Sequence, residues 1–148
     1  MKKPLTGICG VAGTRVMPKD GIWWNAPNEE CRGSVSHPSP NPFGLHTNCW
    51  PHVGAQFGQV AICDGAMLMC SRKTFQRLKG FDTEAYYGLF HAYDIDICTR
   101  AMLAGMTNWC VPIPLFHGSP GVPDESYTKA LNIYKAKFGK YLPLRIDK

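Results

Sequence analysis

The stretch FHAYDIDICTRAMLAG, residues 90–105, decides the fold. It predicts an amphipathic helix from about Asp94 to Leu103, closed by Gly105, with Ile97, Ala101 and Ala104 on one face at i, i+4 and i+7. Asp94 and Asp96 stand two residues apart where that helix begins. Acids at a helix start bond free N–H groups and meet the positive end of the dipole. The same pair could also bind a metal, or join a catalytic base to a structural neighbour.

The flanking segments supply the rest of an α/β pattern. Residues 5–13, LTGICGVAG, read as a short buried strand. QFGQVAICDGAMLMC, residues 56–70, reads as a strand, a bend at Asp64-Gly65, then a second strand. SRKTFQRLKG follows, with Ser71 as N-cap, Phe75 and Leu78 on one face and Gly80 just past the end. TNWCVPIPLF reads as a strand that ends in Pro112 and Pro114, so it is expected at a sheet edge or leaving the sheet there. A last helix runs from about Asp124 to Tyr141, with the stripe Tyr127, Leu131, Tyr134, Phe138, Tyr141. Its Lys129, Lys135, Lys137 and Lys140 read as a solvated basic side, with anionic lipid as the lesser alternative. Residues 18–55 hold half of the prolines and many of the glycines, and read as long loops around short extended pieces.

Composition narrows the class. The 148 residues suit one domain with a real core. An apolar fraction of 45% argues against disorder. The net charge of +5 suits an anionic ligand or a membrane surface. No basic run exceeds two residues, so no nucleic-acid footprint is expected. Seven cysteines, an odd number with no C-x-x-C, read as buried hydrophobes in a reducing compartment. The expectation is a cytoplasmic chain, in contact at most with the membrane periphery.

Two metal- or nucleotide-like patterns are weak. Gly7, Gly10 and Gly13 are spaced G-x-x-G-x-x-G and lead into TRVMPKDG, not a helix; close packing or turns are the plainer reading. His46, Cys49 and His52 make a zinc-like trio without an obvious fourth ligand.

Asp64 interrupts an apolar strand, which is costly unless its carboxylate has partners. His117 follows a strand end into a Gly/Pro loop, where ligands gather in α/β sheets. The motifs Gly80-Phe81-Asp82, Tyr93-Asp94-Ile95-Asp96, Arg100, Gly105, Pro112 and His117, in that order, resemble the C-terminal half of family 2-like, inverting glycosyltransferases of the GT-A fold. GICGVAGTRVMPKDGIWW, from residue 7, is similar to the middle segment of a bacterial glycosyltransferase-like family. The resemblance spans residues 5–121, leaving 122–148 as a C-terminal helix and tail of the same domain.

That resemblance implies a partial GT-A-like mixed sheet flanked by helices, a nucleotide-sugar donor and a glycan or other hydroxyl acceptor. Asp94 matches the general base, and His117 matches a histidine that ligates a divalent metal, Mn²⁺ or Mg²⁺, at the diphosphate. Asp64, Gly65 and Asp96 would line the acceptor side, Asp96 capping the helix or orienting Asp94. Trp23 and Trp24, with Trp50, could stack on sugar rings or anchor loops to the core. Tyr93 stands where the family carries Glu. The family's earlier Asp-x-Asp and nucleotide-binding half have no counterpart here, which implies a fragment of a longer gene, a stand-alone half-domain whose partner supplies the rest, or a degenerate relic. A second copy or partner chain would then cover the sheet edge left open. The alternative is a non-catalytic glycan-binding or assembly module derived from such an enzyme.

Overall fold

The structure is a computed structural model and describes residues 5–33, 35–37, 48–50, 57–118 and 124–146. Strand β1 (Thr6–Gly10) lies parallel to a strand that comes a hundred residues later, β10 (Thr107–Cys110). Two antiparallel neighbours flank them, giving the order β7 (Gly58–Val60), β10, β1, β9 (Leu68–Met69). β10 is therefore an inner strand, so of the two expectations raised by Pro112 and Pro114, an edge position or an exit from the sheet, the second holds. All four of its residues precede the prolines, and the chain leaves the sheet only at Val111.

The β1–β10 pairing skips between Thr6 and Cys9. The Asn108 side chain fills the gap. Its Oδ1 accepts from Ile8 N–H at 3.0 Å, and its amide donates to Ala61 C=O at 2.8 Å and Cys98 C=O at 2.9 Å. A fully buried amide is tolerable because all these bonds are made. The same contact explains Gly7, where a Cβ would lie 2.6 Å from Asn108 Oδ1. Gly13 is more confined still, with a Cβ position 2.1 Å from Ile62 C=O. The glycine spacing thus records close packing and no phosphate turn.

The segment read as one strand is two. It bends at Val11, and β2 (Ala12–Thr14) enters a second sheet between β4 (Cys31–Gly33) and β8 (Ile62–Cys63). β3 (Val16–Met17) pairs with β12 (Leu144–Arg145), and β5 (Val35–His37) lies between β6 (Asn48–Trp50) and β11 (Leu115–Phe116).

Helix α1 (Arg72–Arg77) starts at Ser71, whose Oγ accepts from Thr74 N–H at 3.0 Å. Helix α2 (Tyr93–Leu103) packs on β1, β8 and β10. Ile97 and Ala101 are buried as the spacing predicts, but Ala104 is exposed, because the helix has already ended. Gly105 follows with φ 74°, a left-handed stop. Helix α3 (Glu125–Phe138) begins at Asp124, which accepts from Tyr127 N–H at 3.0 Å. Leu131, Tyr134 and Phe138 of its stripe join the main core beside Ile8, Val60 and Ile97. Cys31, Cys63, Cys98 and Cys110 are buried as free thiols. No helix among the described residues is long and apolar enough to cross a membrane.

Candidate active site

The start of α2 faces the Asp64-Gly65 bend across a cleft of about 450 Å³. The helix enters from Ala92, a buried residue held at φ 66°. Left-handed backbone is costly for a residue with a Cβ and persists only where packing enforces it. This turn aims Tyr93 and Asp94 back at Gly65. Asp94 Oδ2 accepts from Gly65 N–H at 2.9 Å, and its Oδ1 accepts from Ile95 N–H at 2.9 Å. Tyr93 Oη donates to Gly65 C=O at 3.1 Å. A Cβ at residue 65 would sit 2.4 Å from that hydroxyl, so only glycine fits. Asp64 shapes the bend by accepting from Ala66 N–H at 2.8 Å.

Burial pushes the Asp94 carboxyl up to about 7, and the Asp64 charge adds to the rise; the backbone N–H bonds oppose it. A carboxylate that takes up a proton near neutrality is suited to general base work. Burial also raises the Tyr93 and Tyr127 phenols to about 12, with Asp94 contributing to both.

Aromatic rings form the walls. Trp23 is buried and meets Trp24 edge-on at 5.6 Å, while Trp24 keeps 40% of its surface and leans on Tyr127 of α3 at 5.4 Å. On the other side Phe90 is 76% exposed and packs against Tyr93 and His91. His117 lines the same cleft. Trp23, Trp24, Asp64, Gly65, Asp94 and His117, spread over 95 residues of sequence, thus converge in one place.

A glycosyltransferase-like family matches residues 1–137 of the 148. The chain belongs to that family. No curated protein and no solved structure matches it. The mixed α/β architecture is compatible with a glycosyltransferase-like fold, and membership implies binding of a nucleotide-sugar donor and an acceptor in general.

In this glycosyltransferase-like chain Asp96 does not reach the cleft, contrary to its expected place on the acceptor side. Its carboxylate is fully buried behind α2 and accepts from Arg100 Nε, Lys137 Nζ and, at 3.1 Å, Tyr86 Oη. Nor does Asp96 cap the helix, whose N-cap, Ala92, receives no side-chain bond. Arg100 continues to the carbonyls of Leu78 and Gly80, and Lys137 to Asp82 at 2.7 Å. That last bond holds the Asp82 carboxyl below its usual range. The Gly80-Phe81-Asp82 motif and Arg100 are therefore parts of one buried ionic brace. Lys137 belongs to it and not to a solvated face. Among its neighbours Lys129 pairs with Glu125 at 2.7 Å, leaving a thinner basic side than the sequence suggests.

Tyr127, Phe90 and His91 are cleft residues that sequence reasoning missed. Tyr127 was hidden in the apolar stripe of α3. Phe90 and His91 stood in the quoted segment itself, two adjacent rings just before the acidic pair. Of the zinc-like trio, His46 and His52 lie outside the described residues, as do the side chains of Cys49 and Trp50.

Proposed function

We propose that this chain transfers a sugar from a nucleotide-sugar donor to an acceptor hydroxyl with inversion, on a partial GT-A-like framework, with Asp94 as general base. An acceptor hydroxyl is a poor nucleophile until its proton is taken. A carboxylate within hydrogen-bond reach takes that proton as the oxygen attacks the anomeric carbon from the face opposite the nucleotide. The bond from that carbon to the diphosphate breaks, and the nucleoside diphosphate leaves.

One observation carries the reading: Asp94 sits in an aromatic-walled cleft, fixed by two backbone N–H groups and with its carboxyl raised to about 7. Asp64 and Gly65 shape the acceptor side, and Trp23 and Trp24 wall it. His117 faces the leaving group in this reading. A resident metal is a poor fit to the described residues, because no three His, Cys, Asp or Glu side chains among them come together to hold one. A Mn²⁺ or Mg²⁺ ion would rest on His117 and the donor's phosphate oxygens in this reading.

A specific observation supports the second reading, a glycan-binding or assembly module. No lysine or arginine lines the cleft among the described residues, so it holds nothing built for a diphosphate. Transfer assays with a panel of nucleotide-sugars decide between them. Transfer that Asp94→Asn abolishes in a folded protein supports the enzyme. Binding of oligosaccharide with no turnover and no response to nucleotide-sugars supports the module.

A further inference from the structure

We infer that the part of the cleft around Asp64 and Asp94 receives an uncharged sugar ring of the acceptor, and that this part, unlike the His117 position given to the donor's diphosphate, turns away phosphorylated or acidic acceptors such as a lipid phosphate. The inference deepens the proposed transfer, and rests on it for the word acceptor. The whole chain carries a net charge of +5, yet none of the described lysines and arginines lines the cleft. What lines it instead is two carboxylates, Asp64 and Asp94, and the imidazoles of His91 and His117. His91 already faces a third carboxylate, with its Nε2 3.4 Å from Asp124 Oδ1. Asp20 stands nearby and accepts from Ile22 N–H at 2.9 Å and from Asn25 Nδ2 at 2.8 Å. Lys137, the cation closest to α2 from behind, is committed to Asp82 and Asp96. An anionic acceptor entering here would meet the Asp64 carboxylate and, above about pH 7, the ionised Asp94 as well, in a partly desolvated space, and would bind more weakly for it.

The walls favour the apolar face of a ring. Trp24 and Tyr127 are in tilted contact, with ring centroids 5.4 Å apart and 33° between their planes, and both line the cleft. Phe90, just before α2, also lines the cleft and is largely open. A pyranose presents C–H groups on its faces and hydroxyls at its rim. Its faces match the rings, and its rim hydroxyls match the carboxylate acceptors. Pockets of this size commonly combine aromatic walls with a few placed polar groups.

The experiment is a binding titration of the full chain, read by tryptophan fluorescence and by saturation-transfer NMR. The probes are neutral methyl pyranosides and disaccharides, with matched uronic acids and sugar phosphates. The expected result is that the neutral sugars bind and their charged counterparts bind about tenfold or more weakly. Asp64→Asn, which keeps an oxygen for the Ala66 N–H, should narrow that gap. Trp24→Ala should weaken neutral binding. Phe90→Ala should do the same at a ring too exposed to disturb the fold. Equal or tighter binding of the acidic sugars overturns the inference, as does neutral binding indifferent to both ring variants, or no neutral binding at all. Neutral binding that passes these tests while no nucleotide-sugar supports transfer would defeat the proposed reaction and leave the charge selectivity standing.

Discussion

Gly65 N–H donates to Asp94 Oδ2 across 2.9 Å, joining a strand bend to a helix start 29 residues later. Tyr93, the neighbour of Asp94, holds the other backbone group of the same glycine through its carbonyl. The carboxylate therefore has a fixed aim. Each of its two oxygens accepts from the backbone, Oδ2 from Gly65 and Oδ1 from Ile95, which fixes its orientation in the cleft.

Asp94→Asn is expected to remove transfer by about a hundredfold or more, the usual worth of a positioned general base. Circular dichroism and the KM for acceptor should change little, since the amide keeps the shape and one carbonyl oxygen. The check is kcat for variant and parent under single-turnover conditions. Activity within a few-fold of the parent would remove Asp94 from the mechanism.

The raised carboxyl sets two pH dependences. In the folded protein Asp94 holds its proton up to about 7, against an ordinary value of 3.8, so the folded state binds more protons than the unfolded one between these limits. Its contribution to stability is whole below the ordinary value and is lost as pH rises through about 7. Asp94→Asn should flatten this part of the melting temperature against pH profile and make the protein relatively more stable at pH 8. Transfer should behave oppositely, with kcat/KM rising through about pH 7 as the base ionises. Asp64→Asn removes a repelling charge and should move that limb to lower pH.

Tyr93→Phe keeps the ring contacts with Phe81 and Phe90 and deletes only the hydroxyl held on Gly65. The expected cost is about 1 kcal/mol of stability by urea titration, the net worth of one such bond. If the bond positions the bend under Asp94, kcat falls and the acceptor KM holds. An unchanged kcat would make the hydroxyl a matter of stability alone.

Asp96→Ala leaves Arg100, Lys137 and Tyr86 facing a vacancy beneath α2. Breaking a buried ionic network by removing one member costs on the order of 3 kcal/mol or more, and partial water access to Lys137 and Arg100 favours the lower end. Chemical denaturation measures it. Lys137→Met is the milder partner change, since Arg100 and Tyr86 still hold Asp96.

Much of the cleft could be read in the sequence because its parts are conspicuous there. A carboxylate that breaks an apolar strand, a histidine leaving a strand end and a pair of adjacent tryptophans each raise a question, and the fold brings them together. Asp94 and Asp96 were harder to separate. Two residues on a helix point about 200° apart, so one facing the cleft puts the other in the core. Spacing alone does not say which is which. Lys137 and Tyr127 were misread for a related reason. A helix with an apolar stripe and basic flanks looks the same whether one lysine turns inward to a buried acid or one tyrosine turns outward to a ligand. Pro112 and Pro114 allowed either an edge strand or an exit from the sheet; the exit is what the structure has, since β10 finishes pairing on both sides just before them.

Helix α3 supplies Tyr127 to the cleft wall near its first turn and Lys137 to the brace under α2 near its last. The family match ends at residue 137, on that lysine. For anyone trimming the gene, this sets a working boundary. A cut before the end of α3 would remove a panel of the ligand-facing wall and a rivet of the floor together, so shortened versions should keep the chain at least through Phe138.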